Sequence, residues 1–422
     1  MSGPEFLFVT QAGVLTLGLL TMPADLLGGA GRGWPFPLVI DAGLTFFAAW
    51  VFVQLSLTFP GQTIFEYLPS IFGPIGNWLI YALYFFFHMY LLAIATQSFV
   101  LSLHPSVLFF TPSAVVAAIL VLTAAYLAGL GLKGLARATV VVVPVSFALF
   151  LFPLLLSFAR AEAVNLLPSL SEGAGPMLRT ATRVYYPFIA FDLVLLYAAF
   201  WDAPLRRARL IYWSLALTVL LLFIYVAAVV GTLGVAAPRH LVWPGLFVAE
   251  TVRFPGFFLE RLGLLVIISQ MSLGCLFIAV HLWAYPLTLM QQLRLPRSTY
   301  RPLVWALALA SFGGSFLIGN QQQIDLQMRF VVSPASLAAV VVIPLITLIV
   351  ARLRGFRPDF AALARIGGPS AGESAPPTPP APGRTAPTGD APPAGGKGAS
   401  GRKSRAAGRT RPAGRGRAPA RR

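Results

Sequence analysis

Asp192 is the residue of this sequence with the most chemistry to offer. It ends the run Tyr185-Tyr186-Pro187-Phe188-Ile189-Ala190-Phe191-Asp192, inside an otherwise apolar stretch. A carboxylate at the centre of a hydrocarbon layer costs about 2.5–3.5 kcal/mol on insertion scales, so such a group faces protein or water and has a task. Three tasks fit: taking the ammonium of an amino-acid ligand, carrying a proton, or capping a broken helix. A hydrogen bond to a neighbouring helix is the structural alternative. His88 and His281 lie in other apolar stretches and are candidate partners. Each reads equally as a hydrogen-bonded structural histidine. Tyr84, at the head of an aromatic run over 84–87, and Gln270 and Ser272 are further polar groups in apolar surroundings. They serve packing as readily as site lining. Asp25 and Asp41 stand nearer the ends of their stretches, where snorkelling accounts for them.

The second resource is backbone. The first apolar stretch contains Gly18-Leu19-Leu20-Thr21-Met22-Pro23, and the sixth contains the Pro187 run. Proline removes an amide and clashes with the preceding turn, and glycine eases departure from helical geometry. Both interruptions open a set of five stretches, and the fifth and tenth also match, carrying Pro144 and Pro344. Paired interruptions of this kind point to an inverted-repeat transporter fold with its site at the repeat interface. Simple proline kinks are the alternative. On the first reading the ligand-binding set is Gly18, Leu19, Leu20, Thr21 and Met22 with Pro187, Ile189, Ala190 and Asp192. Tyr84, His88 and Gln270 face them.

No catalytic signature accompanies these residues. The sequence lacks a phosphate-binding glycine loop with Lys-Ser/Thr, a His-Glu-x-x-His motif and paired carboxylates on one helix. The one cysteine, Cys275, excludes a disulfide framework and a cysteine-based metal site. Neither an enzyme nor a cofactor is expected.

The elements that hold these groups follow from composition. Of 422 residues, 57% are hydrophobic and 11% are charged. Soluble domains run at about 45–50% and about 25%. A span needs about 20 apolar residues. Ten stretches qualify: 5–29, 35–58, 76–102, 111–132, 135–158, 178–200, 210–233, 261–287, 302–320 and 332–353. Helices are required there, because in lipid each backbone group must be satisfied within its segment. The first stretch lacks a basic flank and a cleavage site and is expected to remain as a span. The loop over 234–260 is apolar and is expected to lie along the membrane or pack over the bundle, while 320–325 reads as a short polar loop.

Lys and Arg in short connections divide eleven to eight, with twelve more beyond 357 on the richer side. The positive-inside rule then places both termini in the cytoplasm. The last 67 residues, 356–422, hold twelve of the 35 prolines and end in a cluster of Arg and Lys. With no apolar run to bury, this tail is expected to be disordered. Its charge suits anionic lipid headgroups, or serves only solubility.

Several motifs in order resemble one family. These are the Gly18 to Pro23 run, Gly33-Trp34, and Phe59-Pro60-Gly61-Gln62-Thr63-Ile64-Phe65-Glu66-Tyr67. Asn165-Leu166-Leu167-Pro168, Ser171-Glu172-Gly173, Phe191-Asp192 and Phe257-Phe258-Leu259-Glu260-Arg261 follow. Together, over roughly 5–355, they resemble the B subunits of spore germinant receptors, the GerAB-like family. That family is similar to amino acid/polyamine/organocation transporters. The resemblance implies an all-α membrane protein of ten helices in a LeuT-like 5+5 inverted repeat, with helices 1 and 6 broken. It implies an inner spore membrane location, A- and C-type subunits as partners, and a small germinant such as an amino acid. Ala190 stands where the family usually has Gly, and Asp192 where it has Glu. A proton-coupled amino-acid permease is the competing reading, since both use the same site.

Overall fold

The computed structural model describes residues 1–14, 16–103, 107–169, 173–200, 204–252 and 262–358. The basic tail beyond 358, the aromatic motif over 257–261 and residues Ser171 and Glu172 lie outside the described residues.

The described secondary structure is helical throughout. In chain order the helices are α1 (Gly3–Val14), α2 (Gly18–Ala30), α3 (Pro35–Thr58), α4 (Ile64–Leu103), α5 (Ser113–Gly129) and α6 (Gly131–Ser157). Next come α7 (Ala163–Leu166), α8 (Ala174–Arg183), α9 (Val194–Tyr197), α10 (Pro204–Leu233) and α11 (Pro244–Thr251). The last are α12 (Gly263–Gln292), α13 (Tyr300–Ser315), α14 (Gln321–Gln327), α15 (Ser333–Leu337) and α16 (Ile343–Leu353). Each of the ten stretches expected from sequence falls on helix. Among the described residues six helical runs are long and apolar enough to cross a membrane, and two bent pairs are each long and apolar enough to do so as one broken span. The remaining two, α5 and α13, have 17 and 16 residues. At 1.5 Å per residue each is roughly 25 Å long, close to the hydrocarbon thickness.

The two bent pairs are the first and sixth stretches. Gly3–Val14 meets Gly18–Gly33 at 51°, and Ala174–Phe188 meets Phe191–Phe200 at 48°. Both sit at the centre of the bundle. Every residue over 184–198 is buried, as are eleven of the thirteen residues of α2. α1 packs against α6, α10 and α12, and α12 packs also against α4 and α5. The large apolar residues left exposed, such as Leu79, Phe86, Ile119 and Leu309, lie on the outer helices α4, α5 and α13. In water this would be an aggregating surface. Against lipid it is the expected exterior.

Several local expectations need correction. The break in the first span falls ahead of Gly18, where α2 begins, and Pro23 lies inside α2. Pro23 is the sixth residue of α2 and withdraws the amide that would pair with the Leu19 carbonyl, and Gln270 Nε2 donates to that carbonyl at 3.1 Å instead, so the helix continues. The third span begins close to its expected start, because α4 is two helices that meet at Gly73, whose φ of 74° takes the backbone out of helical geometry. The segment 321–325 is helix. Asn320 caps α14, its side chain accepting from the Gln323 amide at 3.0 Å. The apolar loop does pack over the bundle: α11 lies against α12, α6 and α2.

The tenth span is wound unevenly. Two π-helical turns, Met328–Val332 and Ala338–Val342, interrupt it. Pro334 and Pro344 each follow a π turn by two residues. A proline removes the amide that would pair four residues back, and widening the turn absorbs the misfit. In the π register the Ala339 carbonyl would need the amide of residue 344, which proline lacks. Tyr84 Oη supplies the missing donor at 2.5 Å.

For topology, single cysteines at 242, 297 and 323 in a Cys275→Ala background give a direct check. Labelling of intact cells from outside should reach 242 and 323 and miss 297. Outside labelling of 297 would reverse the orientation.

Candidate functional site

The two breaks face each other. A Cβ placed on Gly18 would lie 2.6 Å from Pro187 Cβ, and one on Gly13 would lie 3.8 Å from Ala190 Cβ. The start of α2 therefore abuts the first half of the sixth span, and the end of α1 abuts its hinge. Gly18 is required by this approach of two backbones. Ala190 occupies the left-handed region at φ 65°, which explains why a glycine is the usual choice at such a corner. Ile189 before it is extended, at φ −55° and ψ 152°. The helix cannot run through these two residues.

Polar groups hold one side of the junction, expected from the Lys and Arg distribution to be the outer one. Tyr186 Oη donates to Asp25 Oδ2 at 2.8 Å and shares a hydrogen bond with Thr21 Oγ1 at 3.0 Å. Arg329 Nε donates to Asp25 Oδ1 at 2.7 Å, with a second guanidinium nitrogen at 2.5 Å. The Tyr186 amide donates to Ser333 Oγ at 3.1 Å. One network thus ties α2, the 186–188 turn and the tenth span together. Gln270 Nε2 donates to the Leu19 carbonyl at 3.1 Å, while its Oε1 is buried without a partner. Asp25 is not snorkelling: only 2% of its side chain is exposed, and Arg329 comes to it. Asp41 is 1% exposed and neither carboxylate oxygen has a hydrogen-bond partner, so it does not reach the surface either. Next to it, Thr45 Oγ1 bonds its own Asp41 carbonyl at 2.7 Å and the Tyr185 hydroxyl at 2.9 Å.

A second cluster lies below the hinge. Asp192 Oδ2 is 3.3 Å from His88 Nε2, with 3% and 0% of their side chains exposed. His88 stacks on Tyr285 at 4.6 Å between centroids and lies 5.5 Å from the His281 ring. Tyr84 lies one turn before His88 and bonds the tenth span as described. Tyr197 Oη, Asp192 Oδ1 and His281 Nε2 are buried with no hydrogen-bond partner.

The expected set of site residues therefore divides in two. Gly18, Leu19, Leu20, Thr21, Pro187 and Gln270 gather on the outer side; Tyr84, His88 and Asp192 gather below. Ile189 and Ala190 form the hinge between them. Met22 is fully buried in the apolar core. Sequence reasoning named Tyr186 only as part of the interruption and missed Arg329 and Ser333. An Arg just ahead of an apolar stretch was the available signal for Arg329.

Two small cavities flank the outer cluster. One of about 20 Å³ is lined by Leu19, Leu20, Trp243 and Gln270. The other, about 10 Å³, is lined by Leu20, Thr21, Ser98 and Trp243. Each has room for about one water. The first turn of α2 adds buried amides: Leu17 precedes it and no side chain caps it. Such a terminus favours an anion or carboxylate.

Comparison with known proteins places this geometry. A family model described as Spore germination protein matches residues 4–323. The Bacillus subtilis (strain 168) spore germination protein YndE is 26% identical over 272 residues, covering 63% of this chain and 74% of its own. Spore germination protein B2 of the same organism is 24% identical over 270 residues, 62% of this chain and 71% of its own. Among solved structures, MhsT in complex with L-phenylalanine superposes with a TM-score of 0.61 at 13% identity, covering 86% of this chain and 97% of its own. A Na⁺-coupled sialic acid symporter in a substrate-bound outward-open state gives 0.57 at 12% identity, covering 86% of each chain. These likenesses establish a LeuT-like all-α fold.

Contact at the junction predicts opposite outcomes for two glycines of one helix. Gly18→Ala forces a methyl into Pro187 and should destabilise by about 1–3 kcal/mol. Gly28→Ala meets nothing within 4 Å and should be neutral or stabilising by up to about 1 kcal/mol. Thermal unfolding in detergent checks both. Equal midpoints would mean the two breaks do not touch.

Proposed function

The chain belongs to the spore germination protein family, and from that premise we propose that it is the membrane subunit of a germinant receptor that binds a small germinant between its two broken helices. Family and fold already make it a germination-related, permease-like, multi-pass membrane protein. The observation that carries the finer reading is the meeting of an uncapped, buried helix start at Gly18 with Pro187, just ahead of the left-handed hinge at Ala190.

An amino acid is the ligand class this junction suits. Its carboxylate would accept from the free amides at the start of α2. Its ammonium would take carbonyls freed at the hinge, with Asp192 below. The description of MhsT with L-phenylalanine supports that class. The neighbouring cavities are too small for an amino acid, so binding requires the halves to part, and the Asp25–Arg329 contact is the bond that must give way. In this proposal A- and C-type subunits are the partners and the inner spore membrane is the location. The basic tail serves as an accessory contact to anionic lipid. A proton-coupled amino-acid permease is the second reading, favoured by the buried His88–Asp192 contact.

Germinant response in spores, or binding to the purified full chain, is measured with L-amino acids and neutral sugars as probes. Asp192→Asn should weaken response to amines at least tenfold while leaving a neutral probe unaffected, whereas Ser272→Ala should behave as wild type. Deleting 366–422 should leave the response intact. An Asp192→Asn protein that accumulates normally and responds to amines like wild type would remove the site. Net uptake of amino acid driven by a proton gradient would favour the permease.

A further inference from the structure

We propose that His88 and Asp192 together bind one exchangeable proton and that this proton latches the inner half of the sixth span. The inference stands apart from the choice of germinant, since it follows from hydrogen-bond accounting at the pair. His88 Nδ1 is 2.9 Å from the Tyr84 carbonyl. A carbonyl oxygen only accepts, so Nδ1 must carry the hydrogen. In a neutral ring the other nitrogen, Nε2, then presents a lone pair. That lone pair stands 3.3 Å from a carboxylate oxygen without hydrogen-bond alignment, in a place where neither side chain meets solvent. Two acceptors at this distance, shielded from water, repel each other. One proton removes the conflict, either on Nε2 as imidazolium facing carboxylate or on Asp192 as a carboxylic acid facing Nε2. The proton count is the same in both forms.

No other group nearby does this work. Among the described residues, Asp192 has no Lys or Arg partner. The titratable groups around it come from every neighbouring element. Tyr84 comes from α4, His281 and Tyr285 from α12, and Tyr197 from α9. Tyr185 precedes the hinge, with Asp41 of α3 beyond it. Tyr84 spends its hydrogen on the Ala339 carbonyl. His281 Nδ1 is 2.8 Å from the Phe277 carbonyl and is committed in the same way as His88. Its Nε2 has no hydrogen-bond partner, so it offers no donor to the pair.

The pair sits two residues beyond Ala190, whose left-handed backbone is the corner of the span. Asp192 thus joins the segment after the hinge to α4. Taking the proton away places anion against lone pair and favours moving that segment off α4. Solvent supplies the proton when the segment has opened and receives it when the latch is released. If the closed state holds the proton and the open state does not, the opening equilibrium shifts about tenfold per pH unit.

Ligand-free full chain in nanodiscs, in a Cys275→Ala background, tests this. Ala198→Cys reports opening through maleimide reactivity, since Ala198 is buried at 8% exposure. Reactivity is divided at each pH by that of an exposed Val242→Cys control, which removes the ionisation of the thiol itself. In the otherwise wild-type protein this ratio should rise with pH, with a limiting slope near tenfold per unit, and both variants below are read through the same ratio. In Asp192→Asn the amide donates to Nε2 without a titrating proton, and in His88→Gln the amide donates to the carboxylate. Both variants should be flat across the range. Nitrogen-15 spectra of labelled histidine, with infrared difference spectra assigned through Asp192→Asn, should detect the proton on Nε2 or on the carboxyl. A wild-type slope of zero would overturn the latch, as would the same slope in both variants. A neutral His88 beside an ionised Asp192 throughout would overturn the proton site itself.

Discussion

A backbone that leaves helical geometry at membrane depth must find partners other than water, and the rest of this structure is arranged around that requirement. Unsatisfied amides and carbonyls in hydrocarbon cost several kcal/mol each. Two breaks placed back to back at the bundle centre shield each other from lipid. Their contact, Gly18 against Pro187 and Gly13 near Ala190, needs small residues at the interface. Burial of the whole segment 184–198 follows from the same need.

The tenth span is the scaffold that meets it. Ser333 takes the Tyr186 amide, Arg329 takes Asp25, and the Ala339 carbonyl takes Tyr84. All three lie in or beside the π turns that Pro334 and Pro344 demand. An irregular helix is thereby matched to an irregular neighbour, and both ends of the junction are tied to it. The outer tie is a charge pair with an Arg that is 40% exposed, while the inner contact is wholly buried. Water can reach the first far more readily than the second.

Much of this was legible in residues. Spans follow from apolar length, and the broken pair follows from Pro187 and from the glycine and proline around 18–23. Asp192 and its histidine neighbours stood out because charge inside a span is expensive. What failed was local placement and long-range pairing. Pro23 reads as a break, yet it falls inside the helix that starts at Gly18, so the interruption precedes the glycine. The polar run at 320–325 reads as a loop, yet Asn320 is a cap. Asp25 reads as a surface residue because its partner Arg329 is 304 positions away. No local pattern announces such a contact, nor the burial of Asp41.

Amide hydrogen exchange on the ligand-free protein in nanodiscs tests the central claim most directly. If the breaks hold strained, loosely paired backbone, amides over 16–20 and 186–193 should exchange at least about tenfold faster than those in the middle of α12, although both are buried. Protection equal to that of α12 would contradict the account, because it would mean that the two spans are continuous helices with ordinary kinks.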